Sequence, residues 1–92
     1  MIYDFNQKQF PNTIADVAIM IGVHEYINYE TWLLDKTVNA IELGGQLIIS
    51  FYYNPGSYNV FDFIIKYHDK IQCIDYVFRD NSFGIYKFKR IK

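Results

Sequence analysis

The stretch DVAIMIGVHEYI, from Asp16 to Ile27, is the most informative part of this 92-residue sequence. From Ala15 to Val23 the residues are apolar except for Asp16, with little alternation. Such a run is typical of a strand that is covered on both faces of a parallel sheet. His24 and Glu25 follow it at once, and open parallel sheets bind ligands beyond the carboxyl ends of their strands. We therefore predict a buried strand whose end points at a binding site.

The segment after this strand predicts a helix and a second buried strand. Asn28 is a suitable N-cap for a helix from Tyr29 to Leu43. The pair Gly44-Gly45 is expected to end that helix, because helix C-termini commonly need a left-handed residue. The apolar run from Gln46 to Tyr53 then predicts the second strand.

The rest of the chain predicts another helix and an antiparallel hairpin. Ser57 is expected to cap a helix from Tyr58 to Asp69, with His68 as a partly buried residue on its apolar side. Two alternating segments, from Gln72 to Asp80 and from Phe83 to Ile91, are separated by a short turn and should pair. Strands and helices that alternate give a parallel α/β sheet, here with one antiparallel strand.

The composition limits the class of protein. A length of 92 residues suggests one domain, and 51% hydrophobic residues exclude a disordered segment. Cys73 is alone, so we expect a small apolar filler in a reducing, cytoplasmic setting. No apolar run approaches the ~20 residues of a membrane helix. With a net charge of −1, no nucleic-acid partner is expected, and the basic tail is interpreted as the solvated face of a last strand. That tail comprises Lys87, Lys89, Arg90 and Lys92.

The order of these segments resembles the C-terminal half of a class I, Rossmann-like S-adenosylmethionine-dependent methyltransferase. The fourth strand of that family typically reads as an aspartate and an apolar run, followed by a short V-(L/H)-E-(Y/H)-(I/V) segment. Here these are Asp16 to Val23 and His24 to Ile27. Residues 42–45, ELGG, resemble the family's L-x-P-G-G before its fifth strand, and the predicted hairpin resembles its last two strands. The resemblance implies a partial methyltransferase sheet of about four strands and two helices.

The resemblance also implies which residues would meet a cofactor. Asp4 corresponds to an aspartate that often lies near the adenine of S-adenosylmethionine, while Gly22 and Val23 would approach its methionine part. The family's glycine-rich loop is missing, since none of the five glycines of this chain forms a G-x-G pattern after a strand. A nucleotide-like ligand needs such a turn so that backbone N–H groups can approach it closely. The isolated chain is therefore expected to hold no cofactor.

Two polar residues are weak catalytic candidates. His24 could act as a general base, because its unperturbed pKa lies near working pH, although many relatives carry an aliphatic residue there. Glu25 could orient a substrate, but a structural bond to a backbone N–H is the favoured interpretation. No set of Cys and His residues has the spacing of a metal site.

Half of a methyltransferase sheet has an exposed edge. The strand from Ala15 to Val23 has no strand beside it on the side of the missing half, and exposed apolar edges invite pairing. We expect either a homodimer through this edge or a partner chain that carries the missing N-terminal half. The corresponding functions are a methyltransferase portion that cannot bind S-adenosylmethionine alone and, as the alternative, a non-catalytic assembly module. A small ligand-binding protein is a third hypothesis.

Overall fold

The computed structural model describes residues 14–21, 30–52, 59–80 and 83–92. In these ranges the chain forms four strands and two helices in the predicted order. They are β1 (Ala15–Met20), α1 (Glu30–Asn39), β2 (Ile41–Tyr52), α2 (Val60–Lys66), β3 (Ile71–Asp80) and β4 (Phe83–Arg90). The described strands make one sheet in the order β1-β2-β4-β3.

The pairing of the strands matches the mixed sheet predicted from the sequence. β1 and β2 are parallel, whereas β4 is antiparallel to both β2 and β3. β4 is therefore the single antiparallel strand among the described ones, inserted between β2 and β3. In the described ranges β1 has one neighbour only and lies at an edge of the sheet. The prediction that β1 is covered on both faces is wrong for these ranges, because Val17 is 50% exposed and Ile19 is 69% exposed.

Both helices pack on one side of this sheet and form the core there. Paired strand residues such as Ile49 and Tyr86, or Leu47 and Phe88, point to this side. Phe63 of α2 lies between aromatic rings, 5.3 Å from Phe51 and 5.3 Å from Phe88. The fully buried apolar residues of the helices are Leu33, Leu34, Val38, Val60 and Phe63. The buried apolar side chains are therefore concentrated between the helices and this face.

The prediction that α1 continues to Leu43 and ends at Gly44-Gly45 is wrong. The helix ends at Asn39, and β2 begins two residues later. The N–H of Ala15 donates to the carbonyl of Ala40 at 2.7 Å, so pairing with β1 takes over where the helix stops. The glycine pair lies inside a bulge of β2, with Gly44 at a φ of +83°. A left-handed glycine is present, but it serves a bulge rather than a helix end.

Two predictions for α2 are also wrong. The N-cap is Asn59 rather than Ser57, because the Asn59 side chain accepts the N–H of Asp62 at 2.9 Å. His68 is exposed instead of partly buried. The helix ends at Lys66, and Tyr67 leaves helical geometry with a φ of −113°, which turns His68 away from the core. Its Nδ1 lies 2.9 Å from the carbonyl oxygen of Ile65.

The hairpin is confirmed, but the basic tail is not one solvated face. Lys87 and Lys89 occupy alternate positions of β4 on the side away from the helices, and only Lys89 is fully exposed. Arg90 points to the helical side, where it is half-buried. Its guanidinium bonds two backbone carbonyls there, so Arg90 has a structural role that composition alone does not indicate.

Candidate functional site

The carboxyl end of β2 extends beyond that of β1. Met20, the last residue of β1, is paired with Ile49, so β2 continues for three more residues to Tyr52. This extension of β2 is paired with β4, and the ring of Tyr52 lies 4.9 Å from that of Phe83. Parallel sheets bind ligands at such carboxyl ends. Two of the three residues of this extension, Phe51 and Tyr52, are aromatic, and the third is the buried Ser50.

The residues predicted for the site lie outside the described ranges. These are Asp4, Gly22, Val23, His24 and Glu25, and the predicted N-cap Asn28 also lies outside them. Their roles therefore stay predictions. The described residue nearest to them along the chain is Ile21, which directly precedes Gly22.

The side of the sheet away from α1 and α2 carries an apolar area that is bordered by charged residues and is partly open. We call it the open face and define it by five residues, which are Val17, Ile19, Ile48, Val77 and Ile85. Ile19 of β1 is paired with Ile48 of β2, and it is 69% exposed. A shallow depression of about 170 Å³ lies between Ile48, Val77 and Ile85, bordered by Asp75 and Lys87. Neither described helix covers this face.

The two edges of the described sheet differ in how they resist pairing. β3 carries two register irregularities, one between Cys73 and Asp75 and one between Phe78 and Asp80. Bulges and charged residues discourage another chain from adding to an edge strand. β1 has its irregularity next to its first residue, and from Val17 onwards it has no charged residue. β1 is therefore the edge that is open to a further strand.

A pair of carboxylates lies at the other end of β1. The bulge of β2, residues 42–45, lies opposite Asp16 alone. Protonated Glu42 donates a side-chain hydrogen bond to the Asp16 carboxylate. This bond, followed by charge repulsion between the two groups, raises the pKa of Glu42 above its ordinary value. Gly45 lies so close to β1 that an added Cβ would be 2.7 Å from the carbonyl oxygen of Asp16. Asp16 is at the end of β1 away from the predicted site.

Cys73 is half-buried and packs against the core, as predicted for a filler. Burial raises the pKa of its thiol and thereby disfavours the reactive thiolate. Its Sγ lies 3.6 Å from the carbonyl oxygen of Asp75.

The described residues contain neither a cluster of metal ligands nor a membrane-spanning helix. In these ranges no group of three or more His, Cys, Asp and Glu side chains is arranged to hold a metal ion. None of the helices described is both long and apolar enough to cross a bilayer.

Comparison with known proteins identifies the fold. No protein-family model matches the sequence, and no curated protein matches it. Among solved structures, the N-methyltransferase NodS from Bradyrhizobium japonicum WM9 in complex with S-adenosyl-L-homocysteine superposes with a TM-score of 0.72 over 97% of this chain. The chain has the fold of about half of this methyltransferase. A second structure of NodS gives a TM-score of 0.67 over 95% of the chain.

The methyltransferase fold is shared at low sequence identity, 16% and 13% for the two structures. The chain spans only 52% and 57% of the length of those NodS chains. The resemblance predicted from residues 16–27, 42–45 and the hairpin is thus confirmed at the level of the fold. The Arg90 hydrogen bonds and the close approach of Gly45 to Asp16 were not predicted from the sequence. Arg90 acts across about 50 residues, where no local pattern gives a signal.

Proposed function

We propose that this chain is the C-terminal portion of a class I S-adenosylmethionine-dependent methyltransferase and cannot bind the cofactor or transfer a methyl group alone. The observation that carries the proposal is the superposition of nearly the whole chain on about half of NodS, which was crystallised with S-adenosyl-L-homocysteine. The position of β1 at the edge of the described sheet supports this proposal, because a strand of the other half could pair with β1.

The proposal assigns one wall of the cofactor cleft to this chain. Asp4 would lie near the adenine, and Gly22 and Val23 would approach the methionine part of the cofactor. His24 and Glu25 remain the candidates for contact with the substrate. The glycine-rich turn that brings backbone N–H groups to such a ligand has no counterpart in this sequence. Cofactor binding therefore requires a second polypeptide segment.

The proposed partner is a polypeptide that carries the missing N-terminal half. It would add a strand beside β1 and cover the open face, where Ile19 is 69% exposed. Each Å² of apolar surface removed from water contributes about 25 cal/mol, so a covered face would stabilise the sheet substantially. A homodimer through β1 is the competing arrangement. We also place the protein in a reducing cytoplasm, consistent with its single cysteine.

The DNA upstream of Met1 gives the first test. The proposal expects an in-frame or adjacent reading frame that encodes a strand, a glycine-rich turn and a helix. Co-expression of the two polypeptides should yield a one-to-one complex that binds S-adenosylmethionine. Absence of such a complex, with the two polypeptides both folded, would contradict the proposal.

A charged residue on the open face tests where the partner binds. Ile19→Lys should abolish co-purification, because a lysine would be buried without a partner against the added segment. Ile65→Lys is the matched control, since Ile65 is equally exposed at 70% but lies on α2, on the other side of the sheet. A complex that tolerates Ile19→Lys would place the docking surface elsewhere.

The alternative function is a non-catalytic assembly module that keeps the fold for its interface. The exposed apolar residues of the open face favour it, since large exposed apolar patches mark interaction sites. Methyl transfer by the chain together with its second half would rule it out. A stable complex that never binds S-adenosylmethionine would favour it over the methyltransferase.

A further inference from the structure

The outward surface of α2 combines exposed apolar residues with charges of both signs. Phe61 is 69% exposed and Ile65 is 70% exposed, one helical turn apart. Asp62 and Lys66 are also exposed and are again separated by four residues. We call these four residues the α2 ridge.

The core contacts of α2 show that the α2 ridge points away from the sheet. Phe63 and Tyr67 turn inwards, and the Tyr67 hydroxyl donates to Asp35 of α1 at 3.3 Å. A helix turns 100° per residue, so residues two positions apart are separated by about 200°, which is about 160° by the shorter way round. Phe61 therefore points nearly opposite to Phe63, and Ile65 nearly opposite to Tyr67. Neither apolar side chain serves the core of this chain.

The same side of the sheet continues this apolar surface towards β3. Tyr76 is paired with Tyr86, and its side chain therefore lies on the helical side, as does that of Phe78, which is paired with Gly84. Both side chains are more than half exposed. α2 contacts β3 but does not cover these two rings.

The charges of the α2 ridge are complementary to those of an antiparallel copy of itself. A two-fold axis reverses the order of residues along the second helix, and isologous interfaces of this kind are the commonest in homo-oligomers. Asp62 of one copy then lies opposite Lys66 of the second copy, and the reciprocal pair forms on the other side of the axis. Phe61 and Ile65 lie about 100° around each helix from these charges, so the apolar side chains of the two copies meet beside the charge pairs.

We propose that the α2 ridge is a homodimer interface, with a second copy of this chain as its occupant. The proposal does not depend on the methyltransferase function, because the ridge lies on the opposite side of the sheet from the open face. The ridge is small compared with the roughly 800 Å² per partner of stable interfaces, so the dimer is weak. We expect a Kd of roughly 10–100 μM.

Sedimentation velocity over a concentration series tests this interface with the full chain. The unsubstituted protein and the Ile19→Lys variant should both show a monomer–dimer equilibrium, because the open face is not part of this contact. Phe61→Ser and Ile65→Ser should each raise Kd at least tenfold. Circular dichroism on each variant checks that its fold is retained.

Charge reversal provides the second arm of the test. Asp62→Lys and Lys66→Asp should each weaken the dimer, because like charges then face each other across the axis. The doubly reversed chain should dimerise again, and so should an equimolar mixture of the two single variants. A monomer at millimolar concentration would overturn the proposal. Dissociation by Ile19→Lys with no effect of Phe61→Ser or Ile65→Ser would overturn it as well.

Discussion

The guanidinium of Arg90 donates a hydrogen bond of 2.7 Å to the carbonyl oxygen of Ile41. The same nitrogen, Nη1, donates to the carbonyl of Val38 at 3.0 Å. Val38 is in the last turn of α1, and Ile41 is the first residue of β2. One side chain from the end of β4 therefore satisfies backbone carbonyls on both sides of the helix–strand junction, and a cation at a helix C-terminus also suits the helix dipole.

The first prediction concerns this junction. Arg90→Met keeps much of the side-chain volume but removes the donors, so two partly buried carbonyls lose their partner. Hydrogen bonds to charged groups contribute about 1.5–3 kcal/mol, and we expect a loss of about 2 kcal/mol in the free energy of unfolding, measured in urea. Lys89→Met, at the exposed neighbouring position, should change it by less than about 0.5 kcal/mol. Equal effects of the two substitutions would contradict this role of Arg90.

The second prediction separates the two glycines of the β2 bulge. Gly44→Ala meets no atom within 4 Å, but the left-handed φ of +83° should cost roughly 1–2 kcal/mol. Gly45→Ala would bring its Cβ to 2.7 Å from the carbonyl oxygen of Asp16 and to 2.9 Å from that of Glu42. Because backbone atoms on both strands would have to move, we expect Gly45→Ala to be the more destabilising. Thermal unfolding of the two variants measures the order, and the reverse order would refute the bulge geometry.

The third prediction is a pH dependence that comes from Glu42. Its pKa is raised above the ordinary 4.5 by the hydrogen bond and the charge of Asp16. Glu42 therefore binds its proton more tightly in the folded state, so protonated Glu42 stabilises the fold. This stabilisation is fully present below the pKa that Glu42 has in the unfolded chain, and it is lost as the pH rises through the pKa in the folded chain. The stability of the unsubstituted chain relative to Glu42→Gln should fall over that range.

Urea unfolding at a series of pH values from 3 to 8 measures this difference. Asp16→Asn is the control, because it removes the charge of Asp16 and should move the pKa of Glu42 back towards its ordinary value. The relative stability should then vary less with pH. A difference between the unsubstituted chain and Glu42→Gln that is constant over the whole range would contradict the carboxylate pairing.

The fourth prediction concerns the thiol of Cys73. Burial raises its pKa, so the thiolate that reacts with alkylating agents is scarce in the folded chain. Alkylation by iodoacetamide at pH 8 should be slower than that of a small free thiol and should become fast in urea. A rate that is the same in folded and unfolded protein would show that Cys73 is not protected.

The order of the elements was predictable from the sequence because apolar periodicity is a local signal. The alternation in β3 and β4 places the hairpin within a residue of its observed ends. The long apolar run around Ala18 marks β1 for the same reason. Such local patterns predict the same strands whatever tertiary structure surrounds them.

The ends of the helices were less predictable, because tertiary contacts determine them. The sequence Gly44-Gly45 indicates a left-handed position but does not distinguish a helix end from a bulge. The helix ends earlier because the backbone N–H of Ala15 donates a hydrogen bond to the carbonyl of Ala40, and this bond depends on β1 lying beside β2. The role of Arg90 likewise requires knowledge of which strand follows β2 in the sheet.

Calorimetric titration of the purified chain with S-adenosylmethionine shows whether this half of the fold binds the cofactor alone. Cooperative thermal unfolding of the same sample shows that the chain is folded. Because the sequence has no glycine-rich turn that could bring backbone N–H groups to the cofactor, we predict no saturable heat of binding. A one-to-one isotherm with micromolar affinity would contradict the account and show that this half of the fold holds the cofactor by itself.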